Sequence, residues 1–181
     1  MFQNLFEQAL STRKIISLNT YGDSNIFVGF ILAYTTEQVT IEHISKYGRF
    51  DGRITLKLSD IERIDVDDDL CRSIGYLYHN QKEIEVLSKK YAQMEANTGD
   101  FVAVLQECKD KNLICSVDTK EIYLTCFILD VTFDEVHFLA IDSDGMKDGE
   151  CYVKMEDIGY VSCGRLAEIR RLLLYNINYR I

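Results

Sequence analysis

The stretch Gly48-Arg49-Phe50-Asp51-Gly52-Arg53-Ile54-Thr55-Leu56-Lys57-Leu58-Ser59-Asp60-Ile61 returns as Gly145-Met146-Lys147-Asp148-Gly149-Glu150-Cys151-Tyr152-Val153-Lys154-Met155-Glu156-Asp157-Ile158, at an offset of 97 residues. Two glycines four apart, an alternating apolar run and an Asp-Ile pair recur. These are turn and strand signals rather than a reaction site, and they make the chain a tandem repeat.

Carried back without a gap, the offset sets Phe30-Ile31-Leu32 on Phe127-Ile128-Leu129 and Ile44 on Ile141; carried forward, it sets Leu77-Tyr78 on Leu174-Tyr175. Nearer the N-terminus it becomes 99, pairing Ile16-Ser17-Leu18 with Cys115-Ser116-Val117 and Phe2 with Phe101. The first copy therefore has two extra residues around Tyr21-Gly22-Asp23, in a hairpin turn where insertions are tolerated.

Each copy reads as a short helix followed by five strands. Phe2, Leu5, Phe6, Ala9 and Leu10 recur at helical steps, and Ile15–Asn19, Ile26–Tyr34, Val39–Ile44, Ile54–Leu58 and Ile61–Val66 read as strands. Gly29 in the second strand predicts a bend or bulge. From Asp69 the period is helical again, with an interruption near His79-Asn80, and Asp67-Asp68-Asp69 stands where carboxylates cap a helix. The second copy repeats the order: a helix at Phe101–Cys108, strands near Leu113–Val117, Ile122–Val131, Glu135–Ile141, Cys151–Met155 and Ile158–Cys163, and a final helix from about Arg165 to Tyr175.

The expected fold class is mainly β with flanking helices (α+β): a first repeat over 1–80, a helical linker over 81–100 with its boundary at Asn97-Thr98-Gly99-Asp100, and a second repeat over 101–181. With 47% hydrophobic and 27% charged residues, the composition is that of a folded protein. Twenty-nine acidic against twenty basic residues give −9, a field that disfavours nucleic acid as partner. The N-terminus lacks the pattern of a signal peptide and no run approaches a membrane span, so a cytoplasmic protein with no membrane association is expected. The six cysteines do not follow the repeat and show no Cys-x-x-Cys spacing, so reduced, mostly buried thiols are expected.

An N-terminal helix, five short strands, Gly29 in the long second strand and a tight polar break before the fifth strand resemble an SH3-like small barrel of the Sm-like type, over about residues 2–66 and 101–163. The resemblance implies two tandem small antiparallel barrels, with single-stranded RNA as one candidate partner. In Sm-like RNA-binding proteins it also implies a basic pair near strand five. Neither Leu58-Ser59-Asp60-Ile61 nor Met155-Glu156-Asp157-Ile158 supplies one, and Cys126 stands where the second copy would carry the glycine. The ligand-sensing barrel of bacterial transcription regulators is similar in pattern, without binding residues to carry over.

Two clusters carry candidate chemistry. Tyr47, Arg49, Phe50 and Arg53 surround the first turn and suit a stacking or peptide-binding surface; the second copy has Asp144, Met146, Lys147 and Glu150 there, so such a surface is asymmetric. Asp142, Asp144 and Asp148 offer oxygen ligands for a cation, although Lys147 interrupts the cluster and the spacing is not that of an EF-hand. His43, His79 and His137 are not equivalent and stand in no nucleophile motif. The sequence points to a non-catalytic intracellular adaptor or regulatory protein without a cofactor, whose partner is another protein. The alternatives are an Sm-like RNA binder, and a small-molecule sensor or hydrolase with a site between the repeats.

Overall fold

In the computed structural model, which describes residues 2–22, 25–95 and 99–179, the chain forms two compact units, Met1–Gln81 and Lys82–Ile181. Part of the turn around Tyr21-Gly22-Asp23 and part of the boundary Asn97–Asp100 lie outside the described residues.

The first unit runs α1 (Gln3–Thr12), β1 (Ile15–Thr20), β2 (Ile26–Tyr34), β3 (Gln38–Ile44), β4 (Phe50–Lys57), a single 3-10 turn (Leu58–Asp60), β5 (Ile61–Val66) and α2 (Asp69–His79). Every strand pair is antiparallel and the sheet order is β4-β3-β2-β1-β5, which leaves β4 and β5 as its edges. The second unit begins with α3 (Gln81–Ala92) and continues with α4 (Phe101–Asp110), β6 (Cys115–Thr119), β7 (Tyr123–Val131), β8 (Glu135–Ile141), β9 (Lys147–Lys154), a 3-10 turn (Met155–Asp157), β10 (Ile158–Cys163) and α5 (Leu166–Tyr179). Its sheet order, β10-β6-β7-β8-β9, is that of the first unit read from the other edge. The protein is thus α+β, with two five-stranded antiparallel sheets.

Each sheet is apolar on both faces, so each needs two covers. One face of the first sheet meets α1: Phe6 and Ala9 pack on Ile16, Leu18, Ile31, Val39, Ile41 and Ile61. The other meets α2, where Ile74 and Cys71 pack on Ile15, Val28, Phe30 and Ile44. α1 presents Phe6 without exposed surface while Leu10 points outward, as helical spacing dictates. α2 begins at Asp68, whose carboxylate accepts the backbone N–H of Cys71 at 2.8 Å, the cap expected from the aspartate run. Asn80 separates α2 from α3 at the expected interruption.

In the second unit Leu105 and Cys108 of α4 cover Cys115, Val117, Cys126, Ile128, Val136 and Phe138. α3 belongs to this unit: the Tyr91 hydroxyl donates to the Ile114 carbonyl at 2.7 Å and Lys90 Nζ to that of Lys111 at 2.7 Å.

Gly29 marks a close approach. A Cβ there would lie 2.0 Å from the Glu42 carbonyl oxygen across the ladder, so the neighbouring strand needs that position bare. The register shift in this pair falls between Ile31 and Ala33, two residues beyond the glycine.

Candidate functional site

The repeated stretch builds a turn and then a bulged edge strand. In the turn, Ser45 N–H donates to the Arg49 carbonyl (2.8 Å) and Gly48 N–H to the Ser45 carbonyl (2.9 Å). Gly48 takes φ +69°, in the left-handed region. Pairing with β3 then sets Phe50 opposite Ile44 and Arg53 opposite Glu42. Three steps on β4 thus answer two on β3, and the extra residue is absorbed at Asp51-Gly52, where Gly52 has φ +91°.

The bulge decides which side chains meet. Residues 50 and 53 would lie on opposite faces of a regular strand. Because their partners Ile44 and Glu42 are two apart on β3, and directly paired residues project to the same side, Phe50 and Arg53 share a face. Phe50 is 62% exposed there. Arg13, at the end of α1, adds its guanidinium to this face, 3.4 Å from the Glu42 carboxylate and 4.8 Å from the centre of the Phe30 ring.

Of the four residues singled out by sequence, the structure brings Phe50 and Arg53 to one surface and leaves Arg49 exposed beside them. Tyr47 is half-buried in the turn, with Lys46 Nζ 5.3 Å above its ring, and its carbonyl accepts the Gln81 side-chain amide at 3.3 Å. It contributes more to the turn than to the face. One side of β4 is paired to β3 over Gln38↔Lys57 to Ile44↔Phe50; among the described residues its other side carries no strand. At its far end Thr36, Glu37, Gln38, Lys57, Leu58 and Ser59 line a cleft of about 390 Å³.

The aspartates of the second turn do other work. Asp142 Oδ1 accepts the N–H groups of Asp144 (2.9 Å) and Met146 (2.8 Å), so the side chain holds its own turn. The Asp144 carbonyl receives the Asn178 amide at 2.9 Å, and Asp148 stands exposed at the second bulge, next to Gly149 at φ +98°. Among the described residues, no group of three or more His, Cys, Asp and Glu is placed to hold a metal ion.

Two histidines have carboxylate neighbours, and neither neighbour adjoins its histidine in sequence. His43 Nδ1 lies 3.5 Å from Asp51, and His137 Nε2 lies 2.9 Å from Glu150 while its ring stacks at 4.1 Å on Tyr152. Both contacts link a strand to its edge neighbour. They follow from cross-strand register, which adjacency in the sequence does not reveal.

Sequence reasoning missed one convergence. Cys163, Cys115 and Cys126 form a cross-strand row on β10, β6 and β7, and Cys108 of α4 closes over it with its sulfur 3.3 Å from that of Cys163. All six thiols are free. The signal was present: at the repeat offsets, Cys108, Cys115, Cys126 and Cys163 fall on Ala9, Ile16, Gly29 and Val66, which are inner positions of the first unit.

Compared with protein-family models, with curated protein sequences and with solved structures, the chain matches none. No helix among the described residues is long and apolar enough to cross a membrane.

Proposed function

We propose that the chain is a non-catalytic intracellular adaptor or regulatory protein that binds another protein along the β4 edge, taking an extended segment as an added strand. The single observation that supports this is the unpaired edge of β4 with Phe50 exposed beside Arg49 and Arg53. An open edge offers backbone N–H and C=O groups to an incoming strand, and alternate side chains supply selectivity. Phe50 gives an apolar anchor. Arg49, Arg53 and Lys57 make this edge locally basic on a chain of net charge −9, which favours a segment carrying carboxylates. The N-terminal helix, the five strands and the 3-10 turn before the fifth strand, with the bare Gly29 in the first unit, support reading each sheet as an opened small barrel of the Sm-like type, with the partner bound on its outer surface.

The test is affinity capture from native lysate with the wild type, Phe50→Ser and Arg49→Glu/Arg53→Glu, each shown by circular dichroism to be folded, with and without ribonuclease. A protein retained by the wild type, lost from both variants and indifferent to ribonuclease is the expected result. Retention equal in all three sinks the edge reading, and retention abolished by ribonuclease gives the site to RNA.

A further inference from the structure

From the placement of Cys108 over Cys163 we infer that these two thiols are a redox pair: Cys163 exchanges with a small disulfide such as oxidised glutathione, and Cys108 resolves the product into an internal disulfide between α4 and β10. Three observations lead there, none involving the β4 edge. The sulfurs are 3.3 Å apart, so a modest shift brings them to bonding distance. Their accessibilities differ: Cys108 has no exposed surface, whereas Cys163 is only partly buried. Of the two residues, only Cys163 keeps exposed surface. Lastly, the first unit fills the same α–β contact with Ala9 and Val66, so packing does not demand sulfur here.

The chemistry balances. The Cys163 thiolate attacks one sulfur of oxidised glutathione, forms a mixed disulfide and expels one glutathione thiolate. The Cys108 thiol attacks the Cys163 sulfur and expels the second glutathione, whose departing thiolate takes up the Cys108 proton. Two electrons pass from the protein to the reagent, and two thiols of glutathione are released. The local electrostatics fit these roles. Contacts with the thiols of Cys108 and then Cys115 hold Cys163 well below the ordinary thiol value, which favours the attacking thiolate. At Cys108 the contact with Cys115 lowers the value, but the contact with Cys163 and burial outweigh it and push the thiol up, which keeps it protonated until the mixed disulfide stands beside it.

The experiment uses the full chain, freed of reductant, incubated with oxidised glutathione, quenched with acid and analysed by intact mass and peptide mapping. Two variants borrow the first unit's residues, Cys108→Ala and Cys163→Val, so each niche keeps a side chain already used in this fold. The wild type is expected to lose the mass of two hydrogens, with the bridge mapped to Cys108–Cys163 and reversed by dithiothreitol. Cys108→Ala should stop with one glutathione on Cys163, and Cys163→Val should carry none on Cys108. A bridge mapped to any other pair, glutathione on Cys108 in the Cys163→Val variant, or an unreacted wild type overturns the proposal. So does reaction of the fully buried Cys126 as fast as Cys163, since exchange would then follow unfolding; mapping the wild type alone decides this should a variant fail to fold.

Discussion

The backbone of Gly48 lies against the end of Leu77 so closely that a Cβ at Gly48 would stand 2.4 Å from the Leu77 carbonyl carbon. Gly145 repeats the relationship, its virtual Cβ 2.6 Å from the Tyr175 nitrogen and 2.7 Å from the Leu174 carbonyl carbon. In both units the turn before the bulged edge strand therefore rests on the helix that follows the fifth strand, α2 or α5. The Gln81 side-chain amide secures the first of these contacts, donating to the carbonyls of Leu77 (2.7 Å) and Gly48 (3.0 Å).

Gly48→Ala and Gly145→Ala should each cost about 3 kcal/mol or more, combining the left-handed strain of roughly 1–2 kcal/mol with an overlap against backbone. Gly52→Ala meets nothing within 4 Å and should cost only the strain, about 1–2 kcal/mol. Urea midpoints at unchanged slope measure the difference, and equal losses at Gly48 and Gly52 would refute the helix contact as the reason for the first glycine.

Much of this arrangement was legible in the sequence, because β1, β2, β3 and β5 alternate or run apolar as buried strands do. The starts of β4 and β9 were not. Phe50–Arg53 and Lys147–Glu150 read as turn because the bulges at Gly52 and Gly149 break the period of two. The thiol cluster was hidden for another reason: Cys108, Cys115, Cys126 and Cys163 come from a helix and three strands, and only the repeat, used as a map from one copy's core to the other's, puts them together. The face shared by Phe50 and Arg53 depends on the same bulge, since strict alternation would set them on opposite sides.

Glu168 is fully buried on α5, with Oε1 accepting the Ser162 hydroxyl at 2.8 Å and Oε2 without a partner among the described residues. Ser162→Ala strips the carboxyl of this bond and should cost about 1–3 kcal/mol. Replacing both groups, Ser162→Ala with Glu168→Met, removes the buried polar pair together and should return stability to within about 1 kcal/mol of the wild type, or above it. A double variant as unstable as the sum of the single ones would show that the carboxyl has a further role in the fold.

Acid should weaken the second unit through two carboxylates, the exposed Asp130 and the largely covered Glu107. The hydrogen bond from Lys111 holds Glu107 below its ordinary value of 4.5, and that from Lys109 holds Asp130 below 3.8. A carboxylate depressed in the folded state contributes its stability above the unfolded value and loses it as pH falls through the folded one. The melting temperature should therefore fall as pH drops from about 4.5 into the range below 3.8. Lys109→Met and Lys111→Met should flatten that fall by lowering the neutral-pH melt toward the acid one, only slightly at the exposed Asp130 pair, while leaving the acid end unchanged. A slope unaffected by both substitutions would assign the acid response elsewhere.

The two edges differ in side chains more than in backbone, and this makes the binding face transferable. β9 carries the same bulge, with Lys147 opposite Ile141 and Glu150 opposite Leu139, so positions 147 and 150 share a face as 50 and 53 do. Their chemistry is reversed, however: Glu150 is engaged by His137, and Lys147 Nζ lies 4.9 Å over the Tyr179 ring. In a Phe50→Ser background that no longer retains the partner, Met146→Arg, Lys147→Phe and Glu150→Arg together should build an edge with an aromatic anchor between two arginines, and the same protein should be retained again. The substitutions break the His137–Glu150 contact and the Lys147–Tyr179 one, for a stability loss of about 1–2 kcal/mol, small enough for the fold to survive. Rescue would locate recognition in a bulged edge that presents Phe and Arg on one face. Failure of rescue in a folded variant would mean that the partner reads groups peculiar to the first unit, such as Arg13 beside Glu42 or the cleft at the end of β4.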